Sequence, residues 1–178
     1  AIRKVCTKYD MPLFIDGARL GYALTATGND VTLEDIARIA DVFYIGGTKV
    51  GAMFGEAVVF THGNMPKNFV TLVKQHGALL AKGWLLGVQF DTLFTDDLYC
   101  RIARHANDAA DRIREVLVER GYTLTFDAPT NQIFITLDNA TSERLQRNVR
   151  LGFMEKADDT HTVMRICTSW ATTDEQVE

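Results

Sequence analysis

Charge of one sign is in short supply in this chain: 19 Lys and Arg stand against 23 Asp and Glu, a formal net charge of −4. No run of like charge occurs, so there is no electrostatic footprint for nucleic acid, another polyanion or an anionic membrane surface. Long hydrophobic runs are also missing. The longest apolar stretches fall far short of the roughly 20 residues that a spanning helix needs, which argues against a membrane partner. Only three cysteines occur, Cys6, Cys100 and Cys167. They are widely spaced within helix-like or strand-like segments, which fits buried thiols in a reducing compartment better than a disulfide framework. No cysteine pair has metal-ligand spacing, so no metal is expected. There is no internal repeat, low-complexity tract or disordered linker. No signal peptide is visible in these residues, and the expected compartment is the cytoplasm. Ala1 is not a start methionine, and residues 1–9 read as the tail of an amphipathic helix, so an upstream segment is expected.

What the chain does contain is enough apolar material for a sizeable core: 47% of its 178 residues are hydrophobic and 24% charged, the composition of one large or two small globular domains. Its organising stretch runs from Pro12 to Phe60. Two short apolar runs, Leu13 to Ile15 and Val42 to Ile45, each break at glycine and read as buried parallel strands opening into loops. Asp16 follows the first and Lys49 the second. Ligands of open α/β sheets bind beyond the carboxyl ends of strands, so both side chains should reach one crevice. Gly46, Gly47 and Gly51 around Lys49 would let a bulky planar ligand approach the backbone. Taken alone, the residue types leave three readings of Lys49 open: a solvated loop residue, a phosphate binder, or a nucleophile for carbonyl chemistry.

Thr32, with Glu34 and Asp35 behind it, predicts a capped helix to about Ala40, which completes a strand–helix–strand crossover. A strand at 57–60 and a helix from Pro66 to His76 follow. Residues 82–99 read as a helix apolar on most faces, buried or at a subunit interface. A second long helix, 98–120, is amphipathic and ends at Gly121, a predicted C-cap. Beyond Tyr122 the pattern becomes α+β, with strands near Thr123, at 132–137, near Phe153 and at 164–168, and a helix at 142–148. In MRICTS, Met164, Ile166 and Thr168 should share one face, with Arg165 and Cys167 on the other.

Three motifs, DGAR from Asp16 to Arg19, GGTK from Gly46 to Lys49 and MRICTSWATT from Met164 to Thr173, resemble those of the pyridoxal phosphate (PLP) enzymes of the aspartate-aminotransferase-like fold. The resemblance is closest to the low-specificity threonine aldolases of the β-eliminating lyase group. Aminotransferases of that fold usually carry tyrosine where this chain has Arg19. The resemblance covers essentially the whole chain, but only the second part of such an enzyme. It implies an α/β fold: residues 1–100 as part of the PLP-binding large domain, a mostly parallel sheet with helices, and residues 101–178 as a small α+β domain.

The implied activity is carbon–carbon lysis of β-hydroxy-α-amino acids such as threonine, giving glycine and an aldehyde. The alternatives are another PLP β-eliminating lyase, an aminotransferase, or a catalytically incomplete α/β binding module. The implied roles are Lys49 and Asp16 as catalytic and cofactor-binding residues, Asp16 at the pyridine nitrogen, and Arg165 gripping the substrate carboxylate. Arg19 would lie near the cofactor or the carboxylate. Lys82, and with it His76, would approach the phosphate bound by a neighbouring subunit of a homodimer or homotetramer. The phosphate-binding loop and the ring-stacking side chain of the family would precede Ala1, which implies that these 178 residues alone are inactive.

Overall fold

A computed structural model describes all 178 residues, which divide into two compact units: Ala1–Leu24 with Asp30–Arg101, and Thr25–Asn29 with Ile102–Glu178.

In the first unit, helix α1 (Ile2–Lys8) leads into strand β1 (Phe14–Ile15). Two short helices follow, α2 (Leu20–Leu24) and α3 (Leu33–Ile39). Thr32 caps α3 as predicted: its Oγ1 accepts from Asp35 N–H at 3.2 Å, and its own N–H donates to Asp35 Oδ2 at 3.0 Å, a reciprocal capping box. Strand β2 (Val42–Gly46) and strand β3 (Glu56–Phe60) complete a sheet of order β1-β2-β3. β1 runs parallel to β2, with Ile15 beside Phe43, whereas β3 returns antiparallel, with Gly46 opposite Glu56. Phe43 and Ile45 are buried. The expectation that both apolar runs are buried fails for β1, because it is an edge strand and its Phe14 is 58% exposed.

Helices α4 (Phe69–Gln75) and α5 (Trp84–Phe94) follow. The helix expected to continue to residue 99 stops at a 3₁₀ turn over Thr95–Asp97, where Asp96 and Asp97 take positive φ of 51° and 55°. This conformation is tolerated by aspartate and ends an α-helix. α5 is not buried within this chain: Trp84 is 65% exposed, and Leu85 and Val88 are exposed with it.

Helix α6 (Leu98–Glu119) carries the chain into the second unit. Its buried Ala103, Ala106 and Ala110 recur at helical spacing and let the helix pack closely. It terminates as predicted at Gly121, whose φ of 82° accompanies the Tyr122 N–H bond to Leu117 O at 2.9 Å. The second sheet is antiparallel, order β4-β6-β5, from β4 (Gln132–Asp138), β5 (Gly152–Lys156) and β6 (His161–Cys167). Helix α7 (Asn139–Leu145) joins the first two strands, and α8 (Asp174–Val177) closes the chain. The strand expected near Thr123 reduces to one bridge between Leu124 and Ile135. Ile133, Ile135, Leu137, Leu151 and Met164 form the core with Ala110. All three cysteines are free, but only Cys6 is buried. Cys167 is exposed because it stands on the face of β6 opposite the core. No helix is long and apolar enough to cross a membrane.

Candidate active site

The parallel register of β1 and β2 decides what lies beside Asp16. Ile15 stands next to Phe43, so one residue further along each strand Asp16 meets Tyr44. Since Phe43 and Ile45 point into the core, alternation turns Tyr44 to the opposite face. Its phenol hydroxyl donates to Asp16 Oδ1. The Ala18 N–H donates to the same oxygen at 3.0 Å. These two donors, in that order, hold the Asp16 carboxyl below the ordinary carboxylate value, assisted by the positive charges of Lys49 and Arg19. The reciprocal effect pushes the Tyr44 phenol up to about 12, chiefly through its bond to Asp16. Asp16 itself is exposed.

Lys49 occupies the loop between β2 and β3, and its backbone is fixed from several sides. Tyr22 donates its hydroxyl to the carbonyl of Lys49. Tyr99 donates to the Gly46 carbonyl at 2.9 Å while accepting from Gly21 N–H at 3.0 Å. Both tyrosines are only 1% exposed, and burial raises the Tyr99 phenol well above its usual range. From the start of β3, Glu56 accepts Gly47 N–H at 2.8 Å and the Thr48 hydroxyl at 3.4 Å. The loop backbone is thus held by hydrogen bonds while the Lys49 side chain remains half-buried at its rim.

The glycines around the lysine answer to the chain's own packing. A Cβ on Gly46 would lie 2.3 Å from Ala18 O, and one on Gly47 2.8 Å from Gly55 O. On Gly17 it would lie 1.7 Å from Tyr44 O. The room expected for a planar ligand is therefore taken up at Gly46 and Gly47 by close backbone approach, and Gly51, with φ of 98°, serves the turn.

Arg19 is half-buried, and its Nε is buried without a hydrogen-bond partner. Arg165 lies in the second unit on β6, opposite Gly152. Its Nη1 donates to Gln132 Oε1 at 3.1 Å, and its Nε is again buried and unbonded. A buried guanidinium nitrogen without an acceptor is costly. Met164 and Thr168 are buried and Cys167 is exposed, the alternation read from MRICTS. Asp16, Arg19 and Lys49 are thus gathered in the first unit. Lys82 and His76 are exposed on the segment between α4 and α5. A cavity of about 490 Å³ lined by Thr27, Asp111, Arg114 and Asp127 lies in the second unit. Its arginine already donates to Asp111 and to the carbonyls of Ala128 and Thr130.

Residues 1–140 match the family model described as beta-eliminating lyase. The chain belongs to the β-eliminating lyase family. Among its relatives, a low specificity L-threonine aldolase of Pseudomonas aeruginosa is 31% identical over 147 residues, 82% of this chain and 42% of that protein. A threonine aldolase of Leishmania major superposes with a TM-score of 0.94 at 41% identity, covering 99% of this chain and 52% of the other. A serine palmitoyltransferase of Sphingomonas wittichii, 16% identical, shares the fold with a TM-score of 0.66, over 99% of this chain and 47% of the other. This β-eliminating lyase chain therefore spans about half the length of the relatives it matches.

Tyr44, Glu56, Tyr22 and Tyr99 do not stand out as site residues in the sequence. Tyr44 had a usable signal, a polar tip out of phase with the buried Phe43 and Ile45. The other three contribute only through tertiary contacts and leave no mark in local pattern.

Proposed function

We propose that the protein to which this chain belongs is a PLP-dependent carbon–carbon lyase that cleaves β-hydroxy-α-amino acids such as threonine to glycine and an aldehyde. The observation that carries this reading is the Asp16 carboxylate, held ionised by Tyr44 and Ala18 beside the charges of Lys49 and Arg19, in a chain 41% identical to a threonine aldolase.

The residues present fit PLP. Both bonds to Asp16 fall on Oδ1, which leaves Oδ2 to accept from a protonated ring nitrogen. Two guanidinium groups each keep a buried Nε with no acceptor. When bound, PLP supplies an electron sink for the pair released as the Cα–Cβ bond breaks. The protein's part is orientation and charge. Lys49 would anchor the cofactor through Nζ on a loop whose backbone is already fixed. Asp16 would keep the proton on the ring nitrogen, where it makes the ring a better acceptor. Arg165 would hold the substrate carboxylate with its planar fork, Arg19 would lie at the cofactor or the same carboxylate, and Lys82 would approach a phosphate across a homodimer or homotetramer interface. In this reading residues 1–100 are part of the large domain and 101–178 the small one.

Product analysis tests the proposal: the full chain supplied with PLP and threonine should yield glycine and acetaldehyde in equal amounts. Ammonia and a keto acid without glycine would instead make it a β-eliminating enzyme, the reading its family name favours.

A further inference from the structure

We propose that Tyr44 is a positioning residue of this site, its hydroxyl occupying Oδ1 of Asp16 so that Oδ2 alone is offered, as an anion, to a protonated ring nitrogen. The inference rests on the cofactor reading above and adds a residue to it.

Asp16 has two cations for neighbours, since the charges of Lys49 and Arg19 both act on it, yet it is ion-paired with neither. A salt bridge to Lys49 would stabilise the carboxylate equally well. It would also hold that amine as ammonium and away from any electrophile. A phenol avoids this conflict, because it is a neutral donor that stabilises the anion without spending a cation. The placement follows from strand register and so is built into the sheet: Asp16 and Tyr44 are neighbours one step beyond the Ile15 and Phe43 pair. The Tyr44 ring is steadied by Phe14, with centroids 6.1 Å apart and planes tilted by 36°. The charged groups facing the pair are Lys49 and Arg19 on the Asp16 side and Glu56, from β3, on the Tyr44 side. Glu56 discourages ionisation of the phenol and so keeps it a donor. The Ala18 N–H, the second donor on Oδ1, is backbone and survives any side-chain change.

The decisive measurement is the titration of Asp16, followed by carboxyl ¹³C NMR in the full chain without cofactor. Tyr44→Phe keeps the ring and removes the hydroxyl, so the Asp16 pKa should rise toward the ordinary value of 3.8. Replacing Tyr44 with 3-fluorotyrosine keeps the hydroxyl and makes it a stronger donor, so the same pKa should fall below that of the unmodified protein. A residue that only fills space would not move the titration in opposite directions. In the PLP-loaded enzyme, Tyr44→Phe should lower kcat roughly tenfold, the loss of one hydrogen bond to a charged acceptor, with KM and cofactor content unchanged. An Asp16 titration identical in all three proteins overturns the role of Tyr44. If Tyr44→Phe does not fold, the fluorotyrosine protein decides by itself, a downward shift supporting the role and no shift overturning it. Full turnover in Asp16→Asn would instead overturn the cofactor reading, an outcome separable from the other because the titration needs no cofactor.

Discussion

Tyr44 and Ala18 both donate to the exposed Asp16 carboxylate, so Asp16 keeps its charge to lower pH than an unassisted aspartate, with consequences for stability and turnover on the acid side. Its folded pKa lies below the ordinary value. Its contribution to stability is therefore fully present above the unfolded carboxylate range and is lost as pH falls through the depressed folded value. Turnover that depends on the anion should likewise persist to lower pH than an unassisted aspartate would allow, with an acid limb that Asp16→Asn abolishes. The same substitution should retain the cofactor while lowering kcat roughly 10²-fold to 10³-fold, the scale of losing one preorganised electrostatic contact. Melting curves alongside the assay separate this from unfolding. Arg165→Lys keeps the charge but not the fork, so it should raise KM for threonine and lower kcat/KM with cofactor absorption unchanged. Unchanged constants would transfer the carboxylate to Arg19, the other arginine with a buried, unbonded Nε.

At the scale of elements, the strands hold the site in place and the glycines allow them to approach. Gly17→Ala would drive a methyl to within 1.7 Å of the Tyr44 carbonyl, which backbone cannot yield cheaply. Overpacking of this kind costs about 1–3 kcal/mol or more, read as a lowered melting temperature. Thr32→Ala removes one half of the α3 capping box and should cost about 1 kcal/mol with no effect on catalytic constants. Elements whose cause is local were legible in the sequence: the α3 cap, the Gly121 terminus, and the alternation of Met164, Arg165 and Cys167. Less was legible where the cause lies elsewhere in the fold. The five residues of α2, Leu20–Leu24, are too few to show a helical period. The end of α5 depends on two aspartates taking positive φ, which an apolar pattern running through to Tyr99 conceals. GGTK was readable as a special loop, but the physical reason for its glycines was not, since it lies in carbonyls contributed by Ala18 and Gly55.

At the scale of the molecule, the second unit is built around a conventional core, and Ile135→Ala there, at 1% exposure, should cost about 2–5 kcal/mol in denaturant unfolding. The first unit presents Met53, Leu79, Leu80, Trp84 and Val88 to the outside. If the full protein is a homodimer or homotetramer, sedimentation velocity should give two or four times the chain mass. The central claim, however, is that Lys49 is the amine that carries the cofactor, and it is open to direct chemical test. The full chain is loaded with PLP, reduced with borohydride and digested, and the pyridoxyl-bearing peptide is sequenced. The account predicts a single modified lysine, Lys49, in the peptide containing Gly46 and Gly47. Modification of Lys74 or Lys82 instead, or no modified peptide from protein that turns over threonine, would contradict it.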